Sequence, residues 1–127
     1  MNWGIVGPVV SAASLLFAAV TYVLDKQRDR KSRTIKKVSE LIEDYHENIA
    51  DKPINQHYRE HVRFLSEVDR FAATTLAGYY SRSQVKKYAG RFLSSVYEKY
   101  KDNLIKDRRN QFKNSSYYEN LEKLSKK

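Results

Sequence analysis

Two histidines and a glutamate stand close together in the sequence, in an order that some zinc proteases use. His57-Tyr58-Arg59-Glu60-His61 has the form H-x-x-E-H, which puts both histidines on one face of a helix. Two imidazoles at that spacing could bind Zn²⁺, and Glu60 could then act as the general base. No third ligand follows in a motif, and apolar residues flank both histidines at helical spacing. Packed or surface histidines are the simpler explanation, so a zinc hydrolase is our least favoured hypothesis.

The rest of the sequence offers little from which to build an active site. The chain contains no cysteine, which excludes disulfides and thiolate catalysis. Its glycines lack the spacing of a phosphate-binding loop, and no Ser-His-Asp arrangement is evident. We therefore expect no enzyme activity, no cofactor and no small-molecule substrate.

The N-terminal residues indicate where the chain acts. Residues 3–24 form a run of 22 residues without a charged side chain or a histidine. A helix of that length spans about 33 Å, which matches a hydrocarbon core of about 30 Å. A secretory signal peptide would place a basic segment ahead of a shorter apolar stretch, and here only Met1 and Asn2 come first. We predict a transmembrane anchor over residues 1–24, as a single-pass span.

A basic segment, residues 25–37, follows the predicted anchor. It holds seven basic and two acidic side chains. Basic residues beside a span tend to remain cytoplasmic, so we predict an outer N-terminus and a cytoplasmic C-terminus, in the bacterial inner (cell) membrane. These side chains could also attract anionic lipid headgroups, by about 1 kcal/mol each near the surface. They are Lys26, Arg28, Arg30, Lys31, Arg33, Lys36 and Lys37.

The net charge of +9 is concentrated at the two ends of the 127 residues. Residues 38–98 are nearly neutral, whereas residues 99–127 hold nine basic and four acidic side chains. The simpler explanation is that these basic side chains lie in water and that those beside the predicted span fix its orientation in the membrane. The alternative is a nucleic-acid binder at the membrane, whose C-terminal basic side chains would contact phosphates. Those side chains are Lys101, Lys106, Arg108, Arg109 and Lys113.

Small residues line one side of the predicted anchor. Gly7, Ser11, Ser14 and Ala18 fall at i, i+4, i+7 and i+11. Such a face lets two membrane helices approach closely and hydrogen-bond through serine hydroxyls, which would make the protein a homo-oligomer. Small residues are also common in membrane helices without this role.

Residues 38–127 are predicted to form a helical cytosolic domain. Apolar residues recur every three or four positions in three stretches, which end near Ala50, Ala77 and Arg109. The predicted packed face begins at Ile35 in the first stretch and includes Phe64 and Val68 in the second. Pro53 and Gly78 mark the breaks between them. Short connections favour antiparallel neighbours, so the expected fold is all-α: a transmembrane helix, an antiparallel bundle of three helices, and a short C-terminal helix.

Local signals refine the ends of these helices and one contact between them. Without Gly or Pro between Pro8 and Pro53, the anchor and the first cytosolic stretch could form one rod. Ser-x-x-Gln from Ser81 and Ser-x-x-Glu from Ser116 predict capping boxes. Asp69 lies in an apolar face of the second stretch, and Arg108 or Arg109 ends the third. We predict an ion pair between Asp69 and one of these arginines, with Arg108 as the first choice, that fixes the register of antiparallel helices.

Short motifs continue from the second stretch to the tail, behind the apolar run and the basic segment. They are Phe64-Leu65-Ser66-Glu67-Val68-Asp69-Arg70-Phe71-Ala72, Gly78-Tyr79, Tyr88-Ala89-Gly90, Tyr97-Glu98-Lys99-Tyr100, Arg108 and Tyr118-Glu119-x-Leu121. Their order resembles a family of uncharacterised bacterial and phage proteins. The resemblance implies one N-terminal membrane helix and a small helical cytosolic domain of unknown function, with no activity or catalytic residue attached.

The leading hypothesis is therefore a non-catalytic, membrane-anchored helical adaptor that presents its cytosolic helices to a protein partner. It rests on the predicted anchor, the amphipathic stretches and the lack of an assembled catalytic set. Nucleic-acid binding at the membrane is the alternative, and the zinc hydrolase follows it.

Overall fold

Helices account for most of the chain in the computed structural model, which describes the backbone of residues 3–126 and the side chains of residues 13–126. They are, in order, α1 Trp3–Asp44, α2 Tyr58–Leu76, α3 Arg82–Tyr100, α4 Lys106–Gln111 and α5 Glu119–Ser125. Two π-helical turns, Tyr45–Ile49 and Lys101–Ile105, continue α1 and α3. The prediction of an all-α chain is confirmed for the described residues.

Helix α1 is a single rod that extends far beyond the bundle. Its 42 residues would span about 63 Å at the usual helical rise. Every side chain of residues 13–33, which we term the free part of α1, is exposed, and Thr34 is the first buried residue. The apolar run and the first stretch of the helical domain are therefore continuous, as predicted.

The predicted anchor lies partly within the described residues. Over the described residues, none of the helices combines enough length with enough apolar character to span a bilayer. The predicted anchor covers residues 1–24, and the side chains of residues 1–12 lie outside the described part.

Contacts at both ends of the bundle show the relative directions of its helices. At the start of α3, the Ser81 N–H donates to Thr34 Oγ1 over 2.9 Å. At the end of α3, Lys99 Nζ donates to the Tyr45 hydroxyl over 3.2 Å. Helix α3 is therefore parallel to the bundle part of α1. Helix α2 runs in the opposite direction, since His61 near its start contacts Tyr100 at the end of α3. Helices α1, α2 and α3 are thus successively antiparallel, as the short connections predicted, whereas α4 continues from α3.

The core forms where α1, α2, α3 and α5 meet. Its buried large apolar side chains include Val38, Leu41, Phe64, Leu65, Val68, Phe71, Val85, Leu93, Val96, Leu104 and Leu121. The predicted periodicity found most of them but began α1 on the wrong residue. Ile35 is 41% exposed and Leu41 only 3%, because the packed face of α1 begins at Thr34.

Neither predicted capping box forms. Ser81 does precede α3, but its Oγ lies 3.1 Å from Ser83 Oγ and caps no backbone N–H. Tyr118, not Ser116, precedes α5, and its φ is +61°. Tertiary contacts replace the local caps, since the Ser81 N–H binds α1 and α5 is capped from another helix.

Candidate functional site

The basic segment lies where the free part of α1 enters the bundle. Its lysines and arginines are exposed except for Lys37, which is half-buried. The Arg33 guanidinium stacks on Tyr79, with 4.0 Å between its central carbon and the ring centre. Thr34 Oγ1 donates to the Arg30 carbonyl over 2.7 Å and accepts from Ser81. The start of α3 is therefore held directly against the end of the basic segment.

The free part of α1 exposes apolar side chains without any cover from the bundle. Seven large ones are between 50% and 74% exposed: Leu15, Leu16, Phe17, Val20, Tyr22, Val23 and Leu24. Of the four residues predicted to mediate self-association, Ser14 and Ala18 are exposed here. The other two, Gly7 and Ser11, lie among residues 1–12, whose exposure is outside the described part. Exposed apolar surface of this extent is typical of surfaces that contact lipid or protein.

His61 is a core residue and not half of a metal site. Its side chain is fully buried, with Nε2 2.8 Å from the Lys52 carbonyl oxygen and Nδ1 2.5 Å from the Tyr100 hydroxyl. A carbonyl can only accept, so Nε2 carries the proton and Nδ1 accepts from the Tyr100 O–H. Both ring nitrogens are occupied, which contradicts a shared zinc ion. His57 lies at the surface, where Nδ1 is 3.9 Å from Glu60 Oε1.

The His61–Tyr100 pair is held neutral by its surroundings. Burial lowers the pKa of the His61 imidazole, and the positive charge of Lys99 lowers it further, whereas the hydrogen bond to Lys52 opposes the shift. Burial also raises the pKa of the Tyr100 hydroxyl. Within residues 13–126, histidine and acidic side chains form no group of three that could hold a metal ion. The pair instead joins the loop before α2 to α2 and α3.

Asp69 and Arg108 do not form the predicted ion pair. Asp69 Oδ1 accepts from the Leu121 N–H over 2.9 Å, so α2 caps the N-terminus of α5. The Arg108 guanidinium lies over Phe112 and Tyr117, 5.0 and 5.8 Å from their ring centres. The prediction was wrong because the turn after α4 brings α5, rather than the end of α4, to Asp69.

Arg109, one residue further, makes an ion pair that the sequence analysis missed. Its Nη2 lies 3.4 Å from Glu122 Oε2, and its Nε donates to the Tyr117 carbonyl over 2.8 Å. The Tyr97 hydroxyl donates to Glu122 Oε1 over 2.8 Å. This hydrogen bond is the main cause of the lowered pKa of Glu122. No local pattern pointed to the pair, because its partners are separated by an irregular turn.

The C-terminal basic residues do not make one cationic surface. The Arg108 guanidinium lies over the Phe112 ring, and Arg109 is paired with the Glu122 carboxylate. Lys101 Nζ lies 2.8 Å from Glu98 Oε2. Lys106 and Lys113 remain exposed. Two such cations are few compared with about 6–10 phosphate contacts of a strongly salt-dependent DNA binder. This geometry gives the nucleic-acid hypothesis little support.

Comparison with known proteins gives a family but no activity. The model of a family described as a domain of unknown function, DUF4760, matches residues 8–127. No curated protein and no solved structure matches the chain. The resemblance to an uncharacterised family is confirmed, whereas a bacterial or phage origin stays a prediction. Since the match covers almost the whole sequence, the chain belongs to the DUF4760 family.

Proposed function

We propose that this chain is a membrane-anchored, non-catalytic helical interaction protein that presents its bundle to a protein partner. The observation that carries the proposal is the free part of α1, whose apolar side chains stand away from the bundle. Burial of one Leu, Val or Phe side chain is worth about 1.5–3 kcal/mol. Six such exposed residues, together with Tyr22, therefore give α1 a strong tendency to enter an apolar phase, and the uncharged run of residues 3–24 is long enough to span one.

The change in composition at residue 25 supports the orientation that we propose. The basic segment follows the apolar run directly, and its side chains are exposed. In this position they would face anionic headgroups and remain on the cytoplasmic side of the bacterial inner membrane. The bundle begins at Thr34, about 15 Å of helix beyond Leu24. It would thus stand just above the membrane surface, on a rigid stem.

The bundle offers surfaces for a partner. Four large aromatic side chains are exposed on it: Tyr58, Tyr79, Tyr88 and Phe112. Aromatic residues often contribute most of the binding energy of protein interfaces. The buried His61 and the Arg109–Glu122 ion pair hold helices together, so they support a structural rather than a catalytic role.

The anchor is tested by extraction of membranes with alkaline carbonate. We expect the full-length protein to stay in the membrane pellet. Leu16→Arg with Phe17→Arg should release it, because each arginine at mid-span costs about 2.5–3.5 kcal/mol. The matched control, Leu16→Ala with Phe17→Ala, keeps the run uncharged and should remain in the pellet.

Two results would contradict this proposal. Release of the unchanged protein by carbonate would remove the anchor. A reporter fused after Lys127 that is active only in the periplasm would reverse the orientation.

Self-association through the small-residue face is a further part of the proposal. In a membrane two-hybrid assay, Gly7→Leu with Ser14→Leu should lower the signal about tenfold, which corresponds to about 1.4 kcal/mol of helix contact. Val20→Leu is the control, since it lies about 200° around the helix from Ala18. Equal signals from both variants would assign the association to other residues.

A further inference from the structure

A cavity between α3 and α5 lies apart from the contacts described above. Its volume is about 330 Å³, within the range of small-molecule sites. Val85 and Leu93 of α3 and Leu124 of α5 give it an apolar lining. Gly90 opens its wall, because a Cβ at that position would meet no atom within 4 Å. The cavity can therefore accept an apolar chain.

The charged residues around this cavity are all basic. They are Arg82, Lys86 and Arg91, which lie on α3 and are exposed. Among residues 13–126, the ion pairs leave these three side chains without an acidic partner. Arg82 is positioned by a hydrogen bond of 2.7 Å from Nη2 to the Leu76 carbonyl. An apolar lining with a basic rim is complementary to an amphiphile with an anionic head.

We propose that the cavity binds a single-chain fatty acid. The hydrocarbon chain lies against Val85, Leu93 and Leu124, and the carboxylate meets the rim cations Lys86 and Arg91. Guanidinium and ammonium groups both form charge-assisted hydrogen bonds to a carboxylate, and the guanidinium can do so with two N–H groups. Lys86 and Arg91 are not part of the hydrophobic core, so their charges are not needed for the packing of the bundle.

The position of the cavity favours a single chain over a phospholipid. Ser81, just before α3, contacts Thr34, ten residues after the end of the predicted span. With α1 near the membrane normal, ten residues correspond to about 15 Å. The acyl chains of a lipid that stays in the bilayer do not reach so far, whereas a fatty acid can leave the bilayer as a monomer. This step rests on the proposed anchor, but binding in the cavity does not.

The test uses the full-length protein in zwitterionic phosphatidylcholine nanodiscs and a twelve-carbon fatty acid with a photoreactive diazirine at its chain end. Mass spectrometry then maps the crosslinked residues. We expect crosslinks at residues 85–94 of α3 and at Leu124. Gly90→Leu should lower them at least about tenfold by filling the cavity, and Lys86→Gln with Arg91→Gln should lower them by a similar factor by removing the charges.

Matched variants separate binding from folding. Gly90→Ala gains the same helical preference as Gly90→Leu but leaves the cavity open, so its crosslinks should stay within about twofold of the unchanged protein. Lys87→Gln removes a neighbouring charge outside the cavity and should have no effect. Circular dichroism of each variant verifies that the bundle is intact.

Several outcomes would overturn the fatty-acid site. They are crosslinks confined to residues 13–24, equal crosslinking in Gly90→Leu and Gly90→Ala, and equal crosslinking by the matching uncharged alcohol. Competition by inorganic phosphate alone, or by phosphatidylglycerol but not by laurate, would also overturn it. Because these results concern the cavity alone, they differ from a failure of the anchor, which is measured by carbonate extraction.

Discussion

His61→Ala should lower the free energy of unfolding by about 3–5 kcal/mol, a large part of the stability of a small domain. The substitution leaves a cavity in the core and removes the hydrogen-bond partners of Lys52 and Tyr100. Each unsatisfied buried group costs about 1–3 kcal/mol, and the cavity adds a packing term. Urea unfolding of the full-length protein, followed by circular dichroism, measures the loss.

Two further variants separate the contributions to this loss of stability. Tyr100→Phe keeps the ring but leaves Nδ1 of His61 without a donor, so it should cost about 1–3 kcal/mol. His57→Ala changes the other histidine of the H-x-x-E-H pattern, which lies at the surface, and should cost less than about 0.5 kcal/mol. Equal effects of His57→Ala and His61→Ala would contradict the buried hydrogen bonds.

His61 should also make the bundle sensitive to mild acid. Its folded pKa is lowered, chiefly by burial, whereas the unfolded chain has the usual value of about 6.5. Below that pH the unfolded chain binds a proton that the folded one does not. Stability is therefore complete above about pH 6.5 and falls as the pH drops toward the folded pKa, by at most about 1.4 kcal/mol per pH unit.

A glutamine at position 61 separates the effect of protonating His61 from the effect of its packing. His61→Gln offers an amide donor to the Lys52 carbonyl and an acceptor to the Tyr100 hydroxyl but does not titrate. The ionisable neighbours Lys99, His57 and Glu60 are the same in both proteins. Urea midpoints between pH 7 and pH 5 should decline for the unchanged protein and stay nearly level for His61→Gln. Carboxylates such as Glu122 act only at lower pH, near 4.5 and below. A parallel decline in both proteins would rule out His61 as the sensor.

The helical class and most helix ends could be predicted because their causes are local. Pro53 and Gly78 interrupt the chain, and Gly78 has a φ of +93°, which an L-residue rarely adopts. The apolar spacing of α2 gave its packed face, including Phe64 and Val68. The spacing of α1 was ambiguous, since Ile35 and Leu41 both fit a helical repeat. The hydrogen bond from the Ser81 N–H to Thr34 Oγ1 shows that the packed face of α1 begins at Thr34, and this contact is not visible in the sequence.

The polar contacts could not be predicted, because none of them is local. The two nitrogens of His61 find their partners in a loop and in α3, nine and 39 residues away in sequence. A pattern of five residues has no information about such partners, so H-x-x-E-H suggested a metal. The π-helical turns also changed helical phase after Asp44 and Tyr100, which a constant 3.6-residue repeat does not anticipate.

The contact between Asp69 and α5 helps to hold the C-terminal helix against the bundle. Helix α5 has only seven residues, and a helix so short does not persist without tertiary contacts. Asp69→Ala should therefore lower the free energy of unfolding by about 1–2 kcal/mol, because the Leu121 N–H loses its acceptor. Asp69→Asn keeps an acceptor oxygen and should cost less. Amide hydrogen exchange at Leu121 should accelerate in the same order.

A double-mutant cycle distinguishes this cap from an ion pair. Asp69→Asn and Arg108→Gln should be additive within about 0.5 kcal/mol, because Arg108 lies against Phe112 and Tyr117 instead. Arg109→Gln and Glu122→Gln are in contact and should be non-additive. A coupling above about 1 kcal/mol between Asp69 and Arg108 would restore the ion pair. Additivity there, with coupling in the other cycle, means that Asp69 acts on α5 as a cap and that the cation paired with α5 is Arg109 rather than Arg108.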